Sequence, residues 1–173
     1  SLDSSSNNYA RSSRIGYLLG EFMRIRAGIV LVEEGKVSLI ERFRNGRHYY
    51  VFPGGGADEG ENPEEAAIRE MEEETGLCVA IRKKIAKIHF DLSTLHYFLV
   101  ERVSGEYGTG TGVEYNDADP NDPYTGVYNP IWIPIKELSE HENSYPLDTK
   151  ELVLKSVHEG WPDEPIVILE PMK

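Results

Sequence analysis

The sequence predicts an α/β fold, an α/β/α sandwich in which a central mixed β-sheet lies between helices. Short runs of β-branched and aromatic residues, separated by turn sequences, indicate strands. Two segments with apolar residues at helical spacing, each with end signals, indicate helices. The 173 residues, 39% hydrophobic and 28% charged, are typical of one globular domain.

Strand signals dominate the first part of the chain. Three strands are predicted there, at residues 23–32, 37–43 and 49–52. The Asn-Gly pair at 45–46 predicts a tight turn between the last two of them. Residues 1–13 are rich in Ser and Asn and predict a flexible N-terminal tail or an expression remnant. Residues 14–173 are therefore expected to form the single domain.

The second part of the chain combines strands, a long loop and a helix. Five strands are predicted, at residues 77–81, 85–90, 94–103, 129–135 and 165–169. A helix is predicted at 147–158, with Asp148 and Glu151 as its cap pair. Residues 105–128 hold Gly, Asp, Asn and Pro with few aliphatic residues, and loops of this length are usually functional or disordered.

The central helix, Pro63–Thr75, is predicted from its end signals. Asn62 is a favourable N-cap residue, Pro63 suits the first helical position, and Glu65 completes a capping box. Gly76 suits the left-handed position just after the helix. The helix is therefore about three and a half turns long.

The charges on this helix are placed unfavourably. Residues 52–77 hold nine acidic side chains and one basic one, a net charge of −8 out of −12 for the whole chain. Glu70, Glu73 and Glu74 share one face, and each like-charged pair at this spacing costs about 0.2–0.5 kcal/mol. They also face the negative end of the helix dipole. A hard divalent cation such as Mg²⁺, which prefers oxygen ligands, would compensate for this repulsion.

Three glycines precede the helix, at residues 54–56 after Pro53. Glycine lets the backbone approach a ligand closely, and its carbonyl and N–H groups can meet a cation or an anion. No Gly-Lys-Ser/Thr sequence follows, which excludes a phosphate-binding P-loop.

These features together resemble the Nudix box. Gly55 is followed after five residues by Glu61 and after seven more by the run from Arg69 to Leu77, so every fixed position of the box is filled. The chain is therefore similar to the Nudix hydrolase family. This resemblance implies the sandwich fold and Mg²⁺-dependent hydrolysis, with Mn²⁺ as an alternative ion, of a nucleoside diphosphate linked to another group X.

The resemblance also implies roles for individual residues. Four groups are implied metal ligands: the side chains of Glu70, Glu73 and Glu74 and the carbonyl of Gly54. Four residues are implied to hold the motif together: Gly55, Glu61, Arg69 and Gly76.

The reaction expected is attack of water on a phosphorus of a diphosphate, with a carboxylate as general base. Glu70 or Glu73 is favoured for that role, with Glu114 in the long loop as the competing assignment and Glu106 in reserve. Two alternatives stay open. One is a Nudix-fold nucleotide-binding or regulatory module without turnover, and the other is a purely structural acidic helix.

Four residues near the glycine turn are candidates for binding the substrate: Arg42, His48, Tyr50 and Phe52. Strand alternation puts the last three on one face, where aromatic rings and an Arg could hold a nucleobase.

The remaining expectations concern partners and location. A pI near 4.9 argues against a nucleic-acid polymer as partner and leaves a small nucleotide derivative. No apolar run has membrane-spanning length, and no secretory signal is visible. The single cysteine, Cys78, allows no disulfide within the chain, which suits the cytoplasm. A homodimer is the commonest symmetric assembly.

Overall fold

The computed structural model describes residues 24–90, 92–111 and 127–169, and it confirms the predicted α/β fold. The strands are β1 Arg24–Val30, β2 Val32–Glu33, β3 Lys36–Arg44, β4 Arg47–Val51, β5 Gly54–Gly56, β6 Leu77–Phe90, β7 Ser93–Gly105, β8 Val127–Pro134, β9 Ser144–Tyr145 and β10 Ile166–Leu169. The helices are α1 Pro63–Thr75, α2 Ile135–Leu138 and α3 Leu147–Glu159. Within this part of the chain, no helix is long and apolar enough to cross a membrane. The predicted tail, residues 1–13, lies outside the described residues.

The strands form two mixed sheets rather than the one central sheet expected. The first has the order β10-β6-β7-β1-β5, with β1 parallel to β7 and β10 parallel to β6. The second has the order β2-β3-β4-β9, and β8 pairs with β3. The glycine strand β5 is an edge strand of the first sheet, next to β1, and follows β4 of the second sheet after two residues.

Two apolar cores hold these layers together. Helix α1 packs on one face of the first sheet through Ala67 and Met71, against Ile29 and Phe98. The other core contains Tyr97, Phe52 and Val153, and so joins the first sheet to the second sheet and to α3. Adjacent residues of β7 thus serve opposite cores, as strand alternation requires.

Helix α1 begins and ends where its sequence signals place it. The Asn62 side chain accepts a hydrogen bond from the Glu65 N–H at 2.7 Å, and the Glu65 side chain accepts one from the Asn62 N–H at 3.3 Å. Gly76 has φ 84°, the left-handed conformation expected after the helix. The predicted helix and its capping box are confirmed.

The two strands predicted at 77–81 and 85–90 are one continuous strand, β6. The polar residues between them, Arg82 to Lys84, stay in the sheet because β6 shifts register against β7 on both sides of this segment. Each such bulge adds a residue to one strand without ending the pairing.

The predicted cap pair of the last helix is wrong. Helix α3 begins at Leu147, so its N-cap position falls on Pro146, and no side chain makes a capping hydrogen bond there. Asp148 and Glu151 lie inside the helix instead, one and four residues after its first residue.

His96 on β7 is a buried histidine that cannot easily take a proton. The residue is 8% exposed, and the described residues offer no hydrogen-bond partner to its Nδ1. The pKa of His96 is lowered to about 4, mainly by burial and next by the charges of Lys84 and Lys87, against a smaller opposite effect of Glu64.

We therefore expect His96 to make the fold sensitive to acid. Its pKa is below the ordinary 6.5, so the stability linked to the neutral ring is complete above pH 6.5 and is lost as the pH falls towards 4. The loss is on the order of 3 kcal/mol. The free energy of unfolding is measured in urea at pH 7.5 and at pH 4.5. The difference between the two pH values should be smaller in His96→Leu than in wild type, and as large as in wild type when the exposed His158 is replaced instead. Equal pH effects in wild type and His96→Leu would contradict the assignment.

Candidate functional site

The glycine strand β5 and helix α1 are in direct contact. The Gly54 N–H donates a hydrogen bond to Glu74 Oε2 at 3.0 Å. The Glu70 carboxylate packs against Gly55, where an added Cβ would lie 2.5 Å from Glu70 Cδ. A side chain at position 55 would displace the Glu70 carboxylate, so the glycine of the motif allows this close approach.

Arg69 ties the helix to the glycine turn. Its Nε and Nη2 donate to both carboxylate oxygens of Glu61 at 2.9 Å, and Nη2 also donates to the Gly56 carbonyl at 3.0 Å. Its Nη1 donates to Glu70 at 3.0 Å and to Glu73 at 3.1 Å. This forked geometry is one that Arg provides and Lys does not.

These contacts change the pKa of both partners. Hydrogen bonds from Arg69 lower the pKa of Glu61 to about 2, although partial burial opposes the change. The same hydrogen bonds raise the pKa of Arg69 above its ordinary value. Both groups are therefore charged at neutral pH.

Glu61→Gln is expected to destabilise the fold by roughly 1–3 kcal/mol, because it replaces two charge-assisted hydrogen bonds of Arg69. The lowered pKa means that this stabilisation is complete above pH 4.5 and is lost as the pH falls towards 2. Urea unfolding at pH 7 measures the loss, and the exposed Glu59→Gln is the matched control. Equal unfolding midpoints for the two variants would show that the Arg69 contacts do not stabilise the fold.

Two of the three helix carboxylates, Glu70 and Glu74, contact the glycine turn, whereas Glu73 bonds to Arg69. The Glu70 side chain is 15% exposed and the Glu73 side chain is 42% exposed, and both bond to Arg69. Among the described residues, no three His, Cys, Asp or Glu side chains converge as a metal-binding cluster. The donors available, three carboxylates and the Gly54 carbonyl, are all oxygen atoms and so fit a hard divalent cation chemically.

A cavity of about 770 Å³ opens beside the glycine turn, between the two sheets. Glu74 of α1, Gly54 of the glycine strand and Arg26 of β1 all line it. Gly28 and Tyr97 form part of its wall, and a Cβ at Gly28 would overlap the Tyr97 ring. The volume is that of a typical small-molecule site.

Arg42 and Phe52, two of the four predicted substrate residues, line this cavity. Arg42 is 8% exposed, and its guanidinium lies 3.6 Å from the centre of the Tyr128 ring, which also lines the cavity. Phe52 packs edge-on against Tyr97. The cavity wall therefore combines a cation with aromatic surface.

His48 and Tyr50, the other two, do not line the cavity. The His48 ring stacks on Phe43 at 4.2 Å and bonds to Glu41 at 2.9 Å, and the Tyr50 hydroxyl donates to Glu41 at 3.3 Å. Arg42 is paired with Tyr49 across the strands, so it faces the opposite side of the sheet. His48 and Tyr50 therefore lie on the face of the sheet opposite to Arg42.

The start of the long loop reaches the C-terminal end of α1. The Gly108 N–H donates to the Thr75 carbonyl at 2.8 Å, and Gly110 lies against the backbone of Glu73 and Glu74. Glu106 is exposed at this point of the loop. Glu114, the competing general base, lies outside the described residues.

Sequence reasoning did not assign several charged or aromatic residues to the cavity that they line: Arg26, Tyr128, and the two acids predicted as a cap pair, Asp148 and Glu151. Arg26 could have been found, since alternation along β1 puts it on the same side as Gly28. Tyr128 could not, because its position opposite Arg42 depends on the pairing of β3 with β8.

Two known proteins named for pyrophosphate chemistry share part of this sequence. An RNA pyrophosphohydrolase of Vibrio cholerae serotype O1 is 38% identical over 85 residues, which cover 49% of this chain and 46% of that protein. An ADP-ribose pyrophosphatase of Bacillus subtilis is 34% identical over 84 residues, 45% of each chain. The chain thus spans about half the length of these curated relatives.

Solved structures and sequence profiles extend the similarity over most of the chain. The crystal structure of a NUDIX hydrolase from Nitrosomonas europaea matches with a TM-score of 0.65 at 18% identity, over 85% of this chain and 79% of that one. At this identity the match shows the fold alone. The profile of the NUDIX domain matches residues 22–152, well over half of the sequence. The chain therefore belongs to the NUDIX domain family.

Proposed function

We propose that this protein is a Mg²⁺-dependent hydrolase of the phosphoanhydride bond in a nucleoside diphosphate linked to a further group X. The observation that carries the proposal is the position of Glu74. Its carboxylate accepts a hydrogen bond from the Gly54 N–H and lines the cavity between the sheets. The acidic face of α1, the glycine turn and a nucleotide-sized cavity are thus adjacent. Each of these features alone is common in proteins, and their contact is what supports a hydrolytic site.

Glu70, Glu73, Glu74 and the Gly54 carbonyl would hold the divalent ion, with Mn²⁺ as an alternative to Mg²⁺. When bound, the ion would neutralise phosphate charge and orient the attacking water. The close contact of Glu70 with Gly55 and the hydrogen bond of Glu74 to Gly54 restrict both carboxylates to the side of the helix that faces the turn. Arg69 offers Glu70 and Glu73 an alternative partner, which compensates their charge while no cation is bound.

The remaining roles follow from the position of charges around the cavity. Arg26 and Arg42 line it and would attract the phosphate groups of the substrate. Glu70 or Glu73 would accept the proton of the attacking water, with Glu114 as the competing assignment. The products would be a nucleoside monophosphate and a phosphorylated X.

The names of the curated relatives support the proposal that a pyrophosphate bond is cleaved, but they differ in the group X. One is named for RNA and the other for ADP-ribose, and both names specify a pyrophosphate bond. Since this chain covers about half of each of them, X has to come from experiment.

The test is a panel of nucleoside triphosphates, nucleoside diphosphate sugars, dinucleoside polyphosphates and 5′-triphosphorylated RNA, incubated with Mg²⁺ or with EDTA. Phosphate, pyrophosphate and nucleoside monophosphate are measured separately, because each identifies a different bond. We expect Mg²⁺-dependent release of nucleoside monophosphate from at least one class. Binding of nucleotides without turnover would instead support the alternative, a Nudix-fold binding or regulatory module.

A further inference from the structure

We infer that residues 105–110, the start of the long loop, hold the last turn of α1 in place for cation binding, with Gly110 as the positioning residue. The inference rests on the proposed function, because it assumes that Glu73 and Glu74 of this turn are ligands of the divalent ion. Gly110 is buried and lies against the backbone of both glutamates. Its effect on the ion is therefore exerted through the helix and not by direct contact.

The contact between Gly110 and α1 is closer than a side chain at this position would allow. An added Cβ would lie 2.9 Å from the carbonyl carbon of Glu74 and 3.0 Å from its carbonyl oxygen, and it would overlap the carbonyl oxygen of Glu73. Ordinary contacts of a Cβ begin at about 3.4 Å. The crowded atoms belong to the backbone, so they cannot rotate aside as the end of a side chain can. An alanine at position 110 therefore has to move either the loop or the last turn of the helix.

The loop is anchored on its other side and is not free to withdraw. The Tyr107 hydroxyl forms a hydrogen bond with Ser38 Oγ at 2.8 Å, and the Tyr107 ring stacks on Trp132 with the ring centres 4.8 Å apart. Ser38 is fully buried on β3, and Trp132 belongs to β8. The loop is thus attached to the second sheet. Because closely packed protein interiors transmit strain, a methyl group at position 110 should displace the helix turn.

The loop also completes the C-terminal end of α1. The last four carbonyl groups of a helix have no partner within the helix. The Gly108 N–H donates to the Thr75 carbonyl at 2.8 Å, and α1 has no basic residue in its last turn. A neutral backbone donor therefore caps this end. A lysine or arginine could cap it equally well, but its charge would compete with a divalent ion for Glu73 and Glu74.

A small displacement of this turn is enough to affect the ion. Mg²⁺ requires nearly octahedral geometry with its ligands at about 2.0–2.1 Å. The crowding at position 110 would shift the turn by roughly 0.5 Å, which is the distance needed to restore an ordinary contact with Glu74. Loss of a group that orients metal ligands typically weakens metal binding by roughly 10- to 100-fold.

A simpler explanation is that the contact serves only the stability of the fold. In that case Gly110→Ala lowers the melting temperature and binds Mg²⁺ as tightly as wild type does. Leu138→Val is the control for lost stability, because Leu138 is fully buried in the core between the sheets and α3. Thr111→Ala is the control for the loop, since Thr111 is exposed and directly follows Gly110.

The experiment measures Mg²⁺ binding by calorimetry, and kcat as a function of Mg²⁺ concentration, in wild type and in these three variants. We expect Gly110→Ala to raise the Kd for Mg²⁺ by roughly 10- to 100-fold, and the Mg²⁺ concentration for half-maximal kcat by the same factor. Leu138→Val should lower the melting temperature and keep the Kd within about twofold of wild type. Thr111→Ala should change neither quantity.

Tyr107→Ala keeps the inference testable if Gly110→Ala does not fold. This substitution removes the anchor of the loop on the second sheet and adds no atom beside the helix. We expect it to raise the Kd for Mg²⁺ by about tenfold, because the last turn of α1 is then no longer held from this side.

Two results would overturn the inference. One is a folded Gly110→Ala variant, or Tyr107→Ala in its place, whose Kd for Mg²⁺ stays within about twofold of wild type. The other is a Leu138→Val variant that weakens Mg²⁺ binding as much as Gly110→Ala does. Calorimetry needs no substrate, so it decides the inference even if no nucleotide is hydrolysed, an outcome that would refute the proposed function separately. A wild type that binds no Mg²⁺ refutes both.

Discussion

Glu74→Gln is expected to lower kcat by about 100-fold or more and to weaken the binding of Mg²⁺, while the fold is retained. The Gln side chain is nearly isosteric, and its carbonyl oxygen can still accept the hydrogen bond from the Gly54 N–H that Glu74 accepts at 3.0 Å. The substitution therefore removes a charge and leaves the contact. Relief of like-charge repulsion on α1 should make the variant as stable as wild type or slightly more stable.

Glu72→Gln is the matched control for this experiment. Glu72 belongs to the same helix and lies between the proposed ligands in sequence, but it is exposed. The helical period puts it on a different face from Glu70, Glu73 and Glu74. It should keep kcat within about twofold of wild type. Mg²⁺ binding, followed by calorimetry and by the rise of the melting temperature with Mg²⁺ concentration, gives a readout besides turnover. Full activity and unchanged Mg²⁺ binding in Glu74→Gln would support the purely structural reading of the acidic helix.

Features that depend on neighbours in sequence were predictable. The ends of α1 follow from the capping box of Asn62 and Glu65 and from Gly76, all within a few residues of the helix. The shared face of Glu70, Glu73 and Glu74 follows from the helical period. The unfavourable placement of their charges was visible for the same reason, and it marked this helix as a candidate site.

Features that depend on strand pairing were not predictable. The division of the strands into two sheets, and the pairing of β3 with β8, bring together residues far apart in sequence. Arg42 and Tyr128 meet through that pairing, as Tyr97 and Phe52 meet through the packing of the two sheets. A single sequence carries no signal for such contacts, since alternation gives the face of a strand and not its partner.

The last helix shows a different reason for error. Asp148 and Glu151 have residue types that suit a helix start, and the prediction used them as a cap pair. In the structure the helix starts after Pro146, and both acids line the cavity. Acidic residues near a helix start serve either purpose, so the sequence alone could not distinguish a cap from a cavity wall.

Gly55→Ala is expected to reduce turnover by about 100-fold, because it moves a proposed metal ligand without changing its chemistry. An added Cβ would lie 2.5 Å from Glu70 Cδ, so the carboxylate has to leave its place against the turn. Glu70 would then also lose its hydrogen bond with Arg69, now 3.0 Å long. The effect is measured as kcat with a substrate that the panel identifies as hydrolysed. The affinity for Mg²⁺ is measured alongside.

Gly56→Ala is the control that isolates this contact. Gly56 is the next residue of the same short strand, and an added Cβ there would meet no atom within 4 Å. Neither glycine has a positive φ, so the two substitutions differ in what the methyl group touches and not in backbone strain. Gly56→Ala should retain turnover and gain a few tenths of a kcal/mol in stability from the restricted unfolded chain. If both variants are equally active, the contact between Gly55 and Glu70 does not position the carboxylate for the reaction.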